Sequence, residues 1–371
     1  MKHHPPHVPG NHDFGHDRSL HDGSSDGLEP TIPLDPEKTT TASELLDAMS
    51  RTAFSGRQLG EAASMLLDMT VDRDTFVVCT ISGAMTVGKM GMIVCRMIER
   101  GMIDCLITTG ALMAHGLSEA VGLTHYKVPK DKTDTELYEM GYNRVYDTLE
   151  MEQNLNDVER FVCLALDRLP PGTTLSSELF CRTVGQLLSE RADGPGILRS
   201  AYERNVPVFV PAFTDSEIGL DVATWQMRRE MVGKSKDFDP RHVVPAFNPY
   251  LDLTSYARLV QPKKKLGIFT IGGGVPRNWA QQVAPYVEIG NLRLGLNVKP
   301  PRFQYCVRIC PEPDYWGGLS GCTYKEGISW GKFVPADEGG RFAEVLSDAT
   351  VVWPLLMMGL LERAGTKRTS S

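Results

Sequence analysis

The sequence predicts an α/β protein with a doubly wound, mostly parallel sheet that lacks a GxGxxG fingerprint. Three observations carry the prediction. Short, largely apolar runs of strand length recur along the chain, as strands buried on both faces require. A stretch of helical period separates the first two, giving a strand–helix–strand unit. The runs end in small or polar residues, which suit the edge of a parallel sheet where ligands gather.

Composition fits a globular chain: of 371 residues, 42% are hydrophobic and 23% charged, both ordinary values. The formal net charge of -7 argues weakly against nucleic acid and suits cationic ligands. No apolar stretch of membrane-spanning length is present and no signal peptide is visible, so no membrane partner is expected. Eight scattered cysteines without a CxxC pair read as buried free thiols of a reducing, cytoplasmic setting. Cys306 and Cys310 have a spacing that sometimes binds metal, but no second pair follows closely and no metal site is expected.

Residues 1–40 are polar, rich in Pro, Gly and Asp, and hold six of the nine histidines (His3, His4, His7, His12, His16 and His21). With too little apolar surface to fold, they read as a disordered extension. The remainder, 41–371, reads as one α/β domain. Leu59, Ala62, Ala63, Leu66 and Leu67 recur at helical spacing, predicting a helix over 57–69. Thr75 to Ser82 and Asp104 to Thr109 follow as strands, with a helix over 89–100 between them. Val206 to Phe213 and Leu266 to Ile271 extend the sheet, the latter after an exposed Pro262-Lys263-Lys264-Lys265 connection.

The four predicted strands end in Ser82-Gly83, Thr109-Gly110, Thr214-Asp215 and Gly272-Gly273-Gly274. Glycines at such turns let backbone N–H groups approach a pyrophosphate, and the following helix N-terminus favours its charge. Near the C-terminus, Glu326-Gly327-Ile328-Ser329-Trp330-Gly331-Lys332 places a carboxylate, an aromatic ring and a lysine within seven residues. A lysine attacks carbonyl or imine carbon only when neutral, and desolvation against Trp330 would push it that way. Glu326 can bind an ammonium group, and the Trp330 face can attract a cation. By residue type alone an exposed loop lysine beside a core tryptophan is the more usual reading.

Gly327 to Lys332 resembles the SWGK segment of deoxyhypusine synthases, with Glu326 where that family has an acidic residue. Further similar segments are Thr108-Thr109-Gly110-Ala111, Gly141-Tyr142-Asn143-Arg144-Val145, Pro211 to Asp215, Gly272 to Val275, and Leu346 to Leu356. These run in the family's order from about Arg57 to Leu361. The resemblance implies a Rossmann-like NAD-binding fold, NAD as cofactor and a 4-aminobutyl group carried from spermidine on Lys332 as an imine. It implies NAD contacts at Ser82, Gly83, Thr109, Gly110, Asp215, Gly273, Gly274, Ser320, Ser347 and Asp348, and polyamine contacts at Glu326 and Trp330. It also implies a homotetramer with sites between subunits.

Three departures fall on the substrate side. Arg277-Asn278-Trp279 stands where the family has a His-His pair, Met113-Ala114-His115 replaces an acidic pair, and Leu319 replaces an aspartate before Ser320-Gly321. His115 is therefore the candidate replacement base. The expected acceptor is a small amine such as putrescine, giving homospermidine, or the protein acceptor, a lysine of initiation factor 5A, giving deoxyhypusine. The changes resemble the family's bacterial branch and tilt towards the small amine. A non-catalytic NAD-binding paralogue and a plain NAD-dependent amine dehydrogenase are the other readings.

Overall fold

The computed structural model describes residue 21 and residues 23–192, 194–235 and 237–364. Six strands form the main sheet: β1 (Thr75–Ile81), β2 (Cys105–Thr108), β6 (Val208–Phe209), β7 (Lys265–Ile271), β8 (Phe303–Ile309) and β9 (Arg341–Val345). They lie in the order β6-β2-β1-β7-β8-β9, and every pair is parallel. The chain winds outward from β1 to β6, returns to β7, and winds the other way to β9. That reversal puts a topological switch point between β1 and β7.

Burial explains why these strands form. β1 and β7 are central, nearly every residue is buried, and Val78, Cys79, Ile268 and Phe269 are inaccessible to solvent. Side chains alternate between two cores. Val77, Cys79 and Ile81 point into the larger one, with Phe269, Val307 and the helices 54–71, 110–120 and 349–364. Val78, Ile107, Ile268 and Cys306 point into the smaller one, with Tyr256, Ala280, Val283, Tyr324 and Phe333. Both faces are thus covered, as the apolar runs predict.

The predicted helices are present with moved ends. The first spans Phe54–Val71, and the crossover helix spans Gly91–Glu99, since Lys89 has a φ of 62° and cannot continue it backwards. The run predicted over 206–213 shrinks to Val208–Phe209, because Pro207 and Pro211 lack the N–H that a longer ladder needs. Two strands were not foreseen: β8 carries Gln304, Tyr305 and Arg308, and β9 carries Arg341 and Glu344, so neither reads as an apolar run. A small antiparallel sheet of β3 (Tyr126–Lys127), β4 (Tyr142–Val145) and β5 (Thr148–Met151), in the order β3-β5-β4, was also missed.

The predicted disorder of residues 1–20 lies outside the described residues. The extension's later part carries a 3₁₀ turn at Pro36–Lys38, and Ile32 donates its N–H to the Arg51 carbonyl at 2.8 Å. No helix among the described residues is long and apolar enough to cross a membrane.

Candidate active site

The ten residues expected to contact a dinucleotide come from distant parts of the chain. Each follows a strand at the C-terminal edge of the sheet: Ser82 and Gly83 after β1, Thr109 and Gly110 after β2, and Asp215 after β6. Gly273 and Gly274 follow β7, Ser320 follows β8, and Ser347 and Asp348 follow β9. Local bonds stitch this edge together. Gly273 donates its N–H to Ser82 Oγ at 2.9 Å, bridging the two sides of the switch point. Thr109 caps its helix by accepting from Leu112 N–H at 3.3 Å and donates its hydroxyl to the Gly83 carbonyl at 2.8 Å. Asp348 accepts from the Thr350 N–H at 2.7 Å, which opens the last helix.

Glycine is required at this edge. Gly272, Gly274 and Gly83 have φ of 77°, 60° and 73°, where a side chain is strained. At Gly273 a Cβ would stand 2.5 Å from Ser320 Cα, so the loop after β8 packs directly on the glycine turn. Around Gly83 and Gly274 the nearest atoms to a Cβ are 3.6 and 3.8 Å away, which leaves room for a ligand to approach the backbone.

Lys332 sits in the smaller core. Its N–H is donated to the Gly327 carbonyl at 3.1 Å and its carbonyl accepts from Phe303 N–H at 3.0 Å, fixing its backbone between the helix Tyr324–Ser329 and the start of β8. The Lys332 Nζ donates to Asn278 Oδ1 at 3.1 Å. Asn278 is four residues past Gly274 on the helix Gly274–Gln281, so the ammonium lies about one helical turn from the glycine turn. Lys332 is only 7% exposed. Burial lowers its pKa and the Arg277 guanidinium adds to that, while Cys322 and Glu326 oppose it.

The source of this burial corrects the sequence expectation. Trp330 is 61% exposed, with its ring centroid 5.9 Å from Nζ, so it is not what desolvates the lysine. The neighbouring helix and the loop at Cys322 do that. Glu326 is likewise exposed, one turn before Trp330, with its N–H held by Thr323 Oγ1 at 3.2 Å. Both residues remain able to meet a cation above the lysine.

Sequence reading placed Arg277-Asn278-Trp279 on the substrate side without giving each a role. Of Arg277-Asn278-Trp279, Asn278 reaches the lysine and Trp279 packs between Phe209 and Tyr256, at centroid distances of 5.6 and 5.1 Å. Arg277 is buried, donates to the Cys322 carbonyl at 2.7 Å and lies over the Tyr324 ring. Arg308 also bonds the Cys322 carbonyl, at 3.1 Å, and the Ser320 carbonyl. Two buried arginines thereby hold the loop that joins the glycine turn to the lysine. Arg277 was noted only as a departure, and nothing in the sequence distinguishes Arg308 from a surface residue.

His115 is not with them. Its helix, Gly110–Ala120, packs Leu112, Met113 and Leu117 into the larger core, across the sheet from Lys332. Its Nδ1 lies 3.1 Å from Glu150 Oε2, which also faces His125. Within one chain it cannot act on the lysine. Of the eight cysteines, seven are buried and Cys322 is partly exposed, and all are free.

Comparison with known proteins agrees with this architecture. The family model for deoxyhypusine synthase matches residues 44–360. A probable deoxyhypusine synthase 2 from Methanosarcina mazei is 33% identical over 342 residues, covering 92% of each chain. A deoxyhypusine synthase-like protein from Chlorobaculum parvum is 31% identical over 314 residues, 84% of each chain. The crystal structure of an assigned deoxyhypusine synthase from Entamoeba histolytica shares the fold, with a TM-score of 0.55 at 14% identity over 88% of this chain and 96% of that one. The chain belongs to the deoxyhypusine synthase family, a family of aminobutyl-transferring enzymes.

Proposed function

We propose that the protein is an NAD-dependent aminobutyl transferase that moves the 4-aminobutyl group of spermidine, or a similar polyamine, through a Lys332 imine to an acceptor amine. The observation that carries this is a lysine buried in a protein core, held by Asn278 Oδ1 and lying one turn from an open glycine edge. Burial disfavours the ammonium form, and the neutral amine is the nucleophile. Bound NAD supplies a hydride acceptor for the donor's secondary amine and returns the hydride to the product imine.

Each chain residue has a task in this scheme. The open backbone at Gly83 and Gly274, the latter at the start of helix Gly274–Gln281, suits a pyrophosphate. Ser320, Ser347, Asp348, Thr109, Gly110 and Asp215 line the remainder of that edge. Glu326 and Trp330 receive the donor's ammonium groups. Lys332 attacks the carbon of the oxidised donor and 1,3-diaminopropane departs; the acceptor amine then displaces Lys332 as the new imine forms. Asn278 orients Nζ throughout.

Asn278 in place of a histidine beside the lysine supports a small acceptor such as putrescine over the lysine of initiation factor 5A. The exposure of Glu326 and Trp330 in a single chain supports closure of the site by a second subunit of a homotetramer. His115, across its own sheet, serves as a base only from such a subunit. The free, mostly buried thiols support a cytoplasmic setting.

The test is mass spectrometry of small molecules after incubation with NAD, spermidine and putrescine. Joint appearance of 1,3-diaminopropane and homospermidine is expected. Accumulating NADH without homospermidine would instead establish an amine dehydrogenase, and silence with both putrescine and factor 5A would establish a non-catalytic paralogue.

A further inference from the structure

Across the sheet from Lys332, three side chains converge from three elements: His115 from the helix Gly110–Ala120, His125 from the residue before β3, and Glu150 from β5. We propose that His115, His125 and Glu150 form a binding site for a divalent transition-metal ion, zinc being the ion this donor set suits best. The inference does not depend on the proposed transferase reaction.

Donor chemistry and geometry both argue for it. Two imidazoles and one carboxylate are the protein ligands of many three-residue zinc sites, the fourth position being left for water. One donor atom from each of the three lies within 4.8 Å of the other two, and His115 Nδ1 and His125 Nε2 stand 3.1 and 2.6 Å from the same Glu150 Oε2. His125 and Glu150 side chains are fully buried, whereas His115 keeps 19% exposure, enough for water to reach an open coordination position.

One atom in this cluster has no good partner. His125 Nε2 lies 2.6 Å from Glu150 Oε2, yet off the line of a hydrogen bond, so this buried nitrogen is left unsatisfied. A buried polar atom without a partner is costly. An ion ligated by both satisfies them, the nitrogen and the carboxylate parting to the roughly 3.3 Å that tetrahedral bonds of about 2.0 Å require. Glu150 is already prepared as an anionic ligand: Asn154 Nδ2 donates to its Oε1 at 2.8 Å and Ser118 Oγ to its Oε2 at 3.3 Å. Such outer contacts orient metal ligands.

Lys89 competes with the ion. Its Nζ is 2.8 Å from His125 Nδ1, the nitrogen that a metal-bound histidine needs to donate from. Lys89 is half-exposed on a flexible stem, and it also pairs with Glu119, whose Oε1 lies 3.9 Å from the same Nδ1. When an ion binds, Lys89 swings to solvent and Glu119 accepts the Nδ1 proton. Metal and Lys89 are therefore mutually exclusive neighbours of His125.

The experiment is titration of the full-length, chelator-treated protein with Co²⁺, read by its visible absorption bands, with Zn²⁺ competition. The N-terminal histidines also take up cobalt, so the readout is the difference between wild type and variants. Wild type is expected to bind one equivalent that Glu150→Gln and His125→Gln lose, with affinity falling roughly 100-fold or more. Lys89→Gln is expected to bind more tightly than wild type. His115→Gln, at the part-exposed ligand, gives the same loss should the buried variants fail to fold. Equal cobalt binding and spectra in wild type and folded His115→Gln would overturn the proposal, as would weaker binding in Lys89→Gln. The cluster would then be a hydrogen-bonded lock between the helix and the small sheet.

Discussion

The two faces of the central sheet bury charge in opposite ways. On one face Lys332 has a single hydrogen-bond partner on its ammonium, the neutral Asn278, and burial lowers its pKa, with Arg277 adding to this and Cys322 and Glu326 only partly opposing it. On the other, burial pushes the Glu150 pKa up, but contacts from His115, His125 and Asn154 outweigh it and hold it at about 2. Burial on both faces therefore yields a group driven toward its neutral form and another fixed in its charged form. The difference lies in the partners rather than in the burial. The candidate nucleophile has one neutral partner, whereas the Glu150 carboxylate is met by several donors.

The strongest attempt to break this contrast removes the reactive group. Lys332→Ala is expected to abolish borohydride trapping of an aminobutyl adduct and to cut turnover by roughly four to six orders of magnitude. An undiminished adduct would show that another residue carries the group.

Next in size is the anchor. Glu150→Ala leaves two buried histidines without their carboxylate and should destabilise the fold by about 3–5 kcal/mol in urea melts. The pH sign follows from the lowered pKa. The carboxylate's stabilisation is fully present above its ordinary value of 4.5 and is lost as pH falls toward about 2. At about 1.4 kcal/mol per pH unit that amounts to something on the order of 3 kcal/mol. Glu150→Gln should flatten the acid limb of the stability–pH curve, and an unchanged limb would mean that other carboxylates govern it.

Placing a carboxylate where Lys332 has none sharpens the comparison further. Asn278→Asp should make the lysine resemble Glu150 in being paired, raise its pKa, and move the pH profile of imine trapping to higher pH. Turnover near neutrality should fall roughly 10- to 100-fold, and Asn278→Ala should lose rate without the alkaline displacement. The smallest effect belongs to the exposed ring. Trp330→Ala should raise KM for the polyamine by roughly 2- to 10-fold with little change in stability, since the ring contributes a cation contact and not core packing.

Much of the scaffold was legible because it depends on local pattern. β1 and β7 announce themselves as apolar runs, and the helix over 54–71 by its period. The glycine turn at 272–274 shows in composition, although why Gly273 must be glycine became visible only when Ser320 was found against it. β8 and β9 were hidden because Arg308 and Glu344 interrupt their apolar character. Those charges face each other across the ladder, 3.1 Å apart, a pairing no single segment reveals. Trp330 was expected to shield Lys332 because it is two residues away, but a turn with Gly331 at φ 67° separates their surroundings.

The sequence by itself determined the α/β class, the central strands β1 and β7, the family and the position of the candidate nucleophile, because each rests on local period or on a contiguous segment. Tertiary structure alone decided which residues surround that nucleophile. Asn278 lies 54 residues from Lys332, and Glu150 lies 35 from His115 and 25 from His125. Charge states in a core are set by neighbours in space, and those neighbours are chosen by how helices and strands pack rather than by their spacing along the chain.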